Sequence, residues 1–422
     1  MSRFSLLPLL ALSLLLPTLG PTLAEAKGRA GQTGNLATRL RSLEAPDQQN
    51  EQLPLYDLNG QFVTQFGYER SRQGGTTNDT AYNRSALAAR LIGPAGFSIS
   101  TMLRLEPSPA DAAGLVPRHT GYAETLTLRW TADPLRFFVG KINPRFGAAW
   151  SRAPGLYGAD YAADYQLREK LGFGARIWMD EVLDLPDPIG YQSLQVELFQ
   201  ADTSFLSSSA FAPRWPLSIM ETDPVTGTAS TTIRQRWRAT RLMGGADNRG
   251  GMGGFTASWV GTEHEVPGGQ IAYNLGVSLR RPGQDAVLAA RAATETGAVA
   301  GIEGSFPLGA EFRLTPSAEY ARRTDSAGFS GRTAEWATAA LALKRGALTL
   351  AYTWMQRRER DTSSGESGQG HQHTAGVSLD LGRATGLALL QNAAVSVDWR
   401  RRNELGERIQ GFGTSFVVSV PF

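Results

Sequence analysis

Phe416-Val417-Val418-Ser419-Val420-Pro421-Phe422 ends the chain. Successive side chains of a strand point to opposite faces. Phe416, Val418, Val420 and Phe422 therefore share one face, and Val417, Ser419 and Pro421 share the other. An apolar row against a mixed row reads as a strand with one greasy side.

The same period of two recurs upstream. Phe62, Phe66 and Tyr68 oppose Gln61, Gln65 and Glu69. Leu87, Ala89 and Leu91 oppose Arg84 and Arg90, and Phe97, Ile99, Leu103 and Leu105 oppose Ser98, Ser100 and Arg104. Leu126, Leu128 and Trp130 oppose Thr127 and Arg129; Leu348, Leu350, Tyr352 and Trp354 oppose Thr349, Thr353 and Arg357. This patterning predicts strands over 57–71, 82–92, 95–106, 121–132, 135–143, 170–181 and 190–202. Further strands are predicted over 251–261, 269–281, 286–294, 298–306, 310–322, 333–345, 346–358, 371–382, 388–402 and 408–422. Antiparallel closure needs an even count, which a strand over 231–243 supplies. There Ile233, Trp237 and Ala239 oppose Arg234, Arg236 and Arg238. The total is about 18 strands, or about 16 without the Ala-rich hairpin over 286–306. Connections alternate between short turns, as at Ile92-Gly93-Pro94-Ala95 and Ala132-Asp133-Pro134, and long loops over 72–81, 107–120, 144–169 and 359–370.

A strand that alternates in this way and stops on an aromatic resembles the terminal strand of Gram-negative outer-membrane β-barrels. Together with the alternation, it gives the chain a resemblance to the porin superfamily. The resemblance implies an all-β, antiparallel up-and-down transmembrane barrel. It also implies that Phe416, Val418, Val420 and Phe422 are read by the barrel-assembly machinery. Outer-membrane lipids and lipopolysaccharide become the expected surroundings, and a homotrimer the expected assembly.

The amino-terminal residues agree with export. Arg3 precedes the apolar run from Leu6 to Leu16, and Ala24-Glu25-Ala26 fits the small-x-small cleavage rule. Cleavage is expected at Ala24–Ala26, leaving 1–26 as a signal peptide, 27–55 as a polar periplasmic segment and 56–422 as the barrel. Gly is 47 of 422 residues, charged residues are 19%, and Cys is absent. Without Cys, thiolate catalysis and Cys-based metal sites are excluded. Net charge is only +3, too small to argue for nucleic acid. All of the 42 basic residues except Lys27, Lys141, Lys170 and Lys344 are Arg, which stays charged and grips oxyanions with paired hydrogen bonds.

Function is expected in the loop 144–169. In general porins the loop after strand 5 folds into the lumen, and this loop resembles it in position. Phe146, Trp150, Leu156, Tyr157, Tyr161 and Tyr165 would pack it on the wall. Asp160, Asp164 and Glu169 would face Arg145, Arg152 and Arg168 across a constriction, giving a transverse field. Arg234, Arg236 and Arg238 form a second candidate, a basic ladder on the lumen face. Arg357, Arg358 and Arg360, like Arg400 to Arg402, lie near strand ends, where they would meet lipopolysaccharide phosphates or solvate the rim.

Catalysis has little support. His119 and His264 are isolated in sequence, and His371 and His373, with Ser378 and Asp380 nearby, form a weak constellation. No third ligand completes a His-x-His metal site, and no Walker loop is present, so no cofactor is implied. The expected function is passive diffusion of small hydrophilic solutes, with some preference for anions. The alternatives are a channel specific for phosphate, sugar, carboxylate or ferric siderophore, and a structural or adhesive barrel with a blocked lumen.

Overall fold

The computed structural model describes residues 57–107, 119–204, 206, 218–222, 229–233, 246, 251–283, 291–404 and 406–422. The expected signal peptide with Ala24 and Ala26, the segment 27–55, and Arg234, Arg236 and Arg238 lie outside these residues.

The first strands are β1 (Asp57–Gln73), β2 (Thr76–Ile92), β3 (Phe97–Pro107), β4 (His119–Ala132), β5 (Leu135–Ile142), β6 (Lys170–Trp178) and β7 (Tyr191–Ala201). After β8 (Ser218–Thr222) and β9 (Ala229–Ile233) come β10 (Gly254–Val266), β11 (Gly269–Arg280), β12 (Glu295–Leu308) and β13 (Phe312–Thr324). The chain finishes with β14 (Arg332–Arg345), β15 (Leu348–Asp361), β16 (Glu366–Asp380), β17 (Ala393–Glu404) and β18 (Glu407–Pro421). All except β8 and β9 form one closed barrel in which β18 pairs with β1. No helix among the described residues is long and apolar enough to cross a membrane.

The barrel closes at 16 strands, the lower of the two expected counts. Two predicted strands are not part of it. β9 covers the start of 231–243, but it pairs with β8 in a separate two-stranded sheet, and β10 pairs directly with β7. The described part of 286–294 holds only an isolated bridge from Ala292 to Phe329, and β11 pairs directly with β12. The two surplus strands offset each other in parity, so the even-number requirement did not expose them.

Nine to eleven tilted residues span a bilayer core. β1 and β2 have 17 residues each and run well past that length. The loop expected over 72–81 is instead strand, joined by Gly74-Gly75 with φ +53° and +88°. Both central residues of such a two-residue turn need positive φ, which glycine adopts without strain.

The wall alternates as the sequence reading required. On the outside Leu275 is 52% and Val139 50% exposed, whereas Thr256 and Thr353 on the inside are 0% exposed. An apolar exterior of this kind suits acyl chains, not water. Aromatic side chains mark its margin. The Trp130 ring stacks on Phe137 at 5.8 Å, and Nε1 of Trp130 donates to the Ala95 carbonyl at 3.1 Å. Trp259 and Tyr273 both donate to Gln192 Oε1, at 3.0 and 2.5 Å. Such amphipathic rings favour the boundary between hydrocarbon and water.

Closure falls to the stretch that opened the sequence reading. The Gly60 amide donates to the Phe422 carbonyl at 2.9 Å, and the Phe422 amide donates back at 3.0 Å. The Phe422 ring occupies the space where a side chain at residue 60 would stand.

Candidate functional site

The chain leaves the wall after β5, one of the shortest barrel strands, and returns at β6. Asn143 clips the neck of the loop. Its Oδ1 accepts from the Glu169 amide at 2.9 Å, and its Nδ2 donates to Glu124 at 2.8 Å. Beside it Lys141, fully buried, pairs with Glu169 at 3.1 Å and Asp202 at 2.9 Å. A buried ammonium with two carboxylates and the Leu206 carbonyl around it is well satisfied.

From this neck the loop runs along the inner face of the opposite wall. Glu197 on β7 accepts from the Arg145 amide at 2.7 Å. Glu319 on β13 accepts from the amides of Ala148 and Ala149, at 2.7 and 2.9 Å, and from the Tyr165 hydroxyl at 2.5 Å. These amides begin the single helical turn Ala149–Arg152, so the carboxylate meets groups that its own turn cannot satisfy. Asn274 adds a fourth donor at 3.0 Å.

The loop aromatics sit against wall arginines. Arg323 lies 5.5 Å from the Phe146 ring, and its Nη2 donates to the Tyr165 carbonyl at 2.5 Å. Arg400 lies 4.4 Å from the Tyr157 ring, and Arg402 and Arg357 lie 4.8 and 5.4 Å from Tyr161. Glycines provide the room: the Tyr157 hydroxyl fills the space over Gly413, and a Cβ at Gly370 would stand 2.5 Å from the Tyr161 hydroxyl. Phe146, Tyr161, Tyr165 and Leu167 end up almost fully buried.

Two of the loop carboxylates meet arginines of the wall. Asp160 pairs with Arg400 at 3.2 Å, and Asp164 with Arg357 at 3.0 Å. Arg400 also binds Glu69, and Arg357 and Arg402 both bind Glu404. Arg357, Arg400 and Arg402 therefore face inward, which corrects their assignment to the outer rim. Alternation alone separates them from Arg358, Arg360 and Arg401 on the outside. Burial raises the Asp164 pKa above the ordinary carboxylate value, against the pull of Arg357. Burial also pushes the Tyr165 phenol far up, helped by Glu319.

Of the loop arginines, Arg168 donates to Gln166 and Arg145 is held through its backbone. Arg152 is half-buried and has no ion pair among the described residues. Across from the docked loop, the inner faces of β2 to β6 carry Arg84, Arg90, Arg104, Arg129, Arg136 and Arg176. Alternation against Leu87, Leu103, Leu128, Phe137 and Ile177 puts them there. Glu106 and Glu124 are the carboxylates on the same faces, and both pair with Arg104. Arg90, Arg136 and Arg176 donate to neutral groups: Ser98 at 3.4 Å, Thr131 at 3.1 Å and Gln195 at 2.7 Å. Arg84 is exposed to the lumen over the Tyr82 ring, at 4.8 Å. Each of these arginines opposed an apolar row in the sequence, so this row was detectable there. The more compact trio at 234–238 drew the reading instead.

His371 and His373 face outward, where His373 Nδ1 lies 2.7 Å from the Tyr352 hydroxyl. Ser378 and Asp380 lie on the opposite face of β16, so the weak constellation of the sequence does not assemble.

No family model matches the sequence, and no curated protein is similar to it. Among solved structures, OprB of Pseudomonas putida aligns with TM-score 0.53 at 10% identity, covering 86% of this chain and 94% of that one. The two chains share one fold, a closed antiparallel barrel. An anion-selective porin from Comamonas acidovorans aligns with TM-score 0.45 at 10% identity, over 86% and 99% of the two chains. A loop-deletion form of OmpT, an outer-membrane protein of Vibrio cholerae, aligns with TM-score 0.48 at 10% identity, over 87% and 100%.

Proposed function

We propose that this barrel is an outer-membrane channel for passive diffusion of small hydrophilic solutes, with a preference for anions. One relationship carries the reading. Residues 144–169 lie against the inner face of β11 to β18 with Asp160 and Asp164 neutralised by Arg400 and Arg357, while β2 to β6 present an arginine-rich face across the lumen. A loop held inside a barrel narrows the aqueous path. A wall with excess guanidinium groups draws anions into it and repels cations. Loop residues Arg145, Arg152, Asp160, Asp164, Arg168 and Glu169 would shape the constriction, with Arg84 and Arg152 as its most available positive charges. Delivery to the membrane would use the outer-face row Phe416, Val418, Val420 and Phe422 for the assembly machinery, and trimer formation is part of the same reading.

Planar-bilayer recording tests it. Purified protein should give ohmic channels whose reversal potential in a salt gradient has the sign for anions. Saturation of the current by one solute would instead favour a substrate-specific channel. Absence of current would leave a structural barrel.

A further inference from the structure

One carboxylate of the inner wall stands without a counter-charge. Asp398 lies midway along β17, on the inward face with Ser396, Arg400 and Arg402. It is 2% exposed, and neither of its carboxylate oxygens has a hydrogen-bond partner among the described residues. The Leu156 amide and the Ser396 hydroxyl lie beside it, and neither meets it in hydrogen-bonding geometry. Strand pairing explains the isolation. Its partners on β16 and β18 are Gly376 and Gly413, so no cross-strand side chain supplies a positive charge. Arg400, two residues along the same face, is committed to Glu69 and Asp160.

The carboxylate borders a cavity of about 30 Å³ beneath the loop tip at Gly155 and Leu156. Gly155 has φ +87°, and a Cβ there would stand 2.6 Å from Asp398 Oδ1, so the loop backbone lies directly on the carboxylate. Gln65, Thr349, Ser378, Ser396 and Ser415 complete the polar lining, and none of the lining residues is cationic. The Ser396 and Ser415 hydroxyls stand 2.8 Å apart and share one hydrogen, which leaves oxygen lone pairs on both.

This chemistry selects an occupant. A buried ionised carboxylate is strongly disfavoured unless a positive charge joins it. Hard oxygen donors without imidazole or thiolate suit alkali and alkaline-earth ions. A divalent ion calls for more carboxylate charge than one Asp supplies. The volume admits a bare ion or a water or two, and excludes an organic cation.

We propose that Asp398, with Gln65, Ser396 and Ser415, binds one dehydrated monovalent metal cation between the wall and the loop tip. The inference rests on the loop's position inside the barrel, not on its conducting.

Crystals of the detergent-solubilised protein soaked in thallium(I) acetate test it, because thallium(I) mimics potassium and scatters anomalously. An anomalous peak should appear in the cavity beside Asp398 and shrink under excess potassium acetate. Asp398→Asn, which keeps the shape and removes the charge, should abolish the peak, and Ser396→Ala should reduce it. No peak in the parent would overturn the proposal, and so would an undiminished peak in the Asn variant. Melting in detergent gives a second measurement. The parent should melt higher in sodium chloride than in N-methylglucamine chloride of equal strength, because only the small cation fits. Asp398→Asn should lose that difference. A parent indifferent to the cation, or an Asn variant that keeps the difference, would count against the site. Circular dichroism checks that each variant folds, and both measurements hold whether or not the barrel conducts.

Discussion

The Tyr165 hydroxyl donates to Glu319 at 2.5 Å, linking the returning limb of the loop to the far wall of the barrel. The same carboxylate holds the amides of Ala148 and Ala149. Glu319→Ala removes all of these acceptors, and a hydrogen bond to a charged group is worth about 1.5–3 kcal/mol. Loop docking should weaken by at least about 3 kcal/mol, read as larger and noisier single-channel currents. Glu319→Gln keeps one acceptor oxygen and should fall between. Unaltered currents in the Ala variant would show that this carboxylate does not hold the loop.

Gly413 leaves the space that the Tyr157 hydroxyl fills at the tip of the loop. Gly413→Val should displace the tip and raise conductance. Adding Tyr157→Ala should remove the clash and make the Val side chain nearly neutral. A Val variant identical to the parent would show that the tip tolerates displacement without widening the path.

Asp164 gives the loop a pH dependence with a definite sign. Its pKa is raised by burial in the docked loop, so its contribution to docking is fully present below the released-loop value and is lost as pH rises through the docked value. Conductance should therefore fall as pH is lowered from neutrality into the carboxylate range. Asp164→Asn should flatten that response. An equally steep response in the Asn variant would assign it to another group.

Arg84 and Arg152 lack ion partners among the described residues. Replacing each with Glu should move the reversal potential toward cations, and the double variant further still. The four arginines nearest the inner ends of the strands, Arg90, Arg129, Arg136 and Arg176, should matter less singly, because each already has bonding partners. A double variant with the parent's reversal potential would remove these two from the selectivity mechanism.

Period-two patterning made the barrel legible, because lipid on one side and water on the other impose opposite chemistry on adjacent residues. It failed where chemistry was ambiguous. Ala-rich residues near 286–294 and the alternating arginines after Ile233 satisfy the pattern, yet β10 pairs directly with β7 and β11 with β12, since alternation is local and pairing is not. The loop was legible by its place and its aromatics, but its partners were not. Arg400-Arg401-Arg402 looked like one basic run, whereas the pleat sends its middle member outward and its flanks inward. Asp160 and Asp164 reach Arg400 and Arg357 from 240 and 193 residues away, a distance no spacing rule bridges.

The seam between β1 and β18 also has a temporal side. Gln61 and Ser419, which bond across it, are 358 residues apart in the chain. During synthesis the leading edge of β1 waits, its amides and carbonyls unsatisfied, until nearly every other strand exists. An exposed β edge invites foreign pairing for as long as it is open. The rate at which that seam seals therefore sets how long an incompletely paired molecule stays open to aggregation.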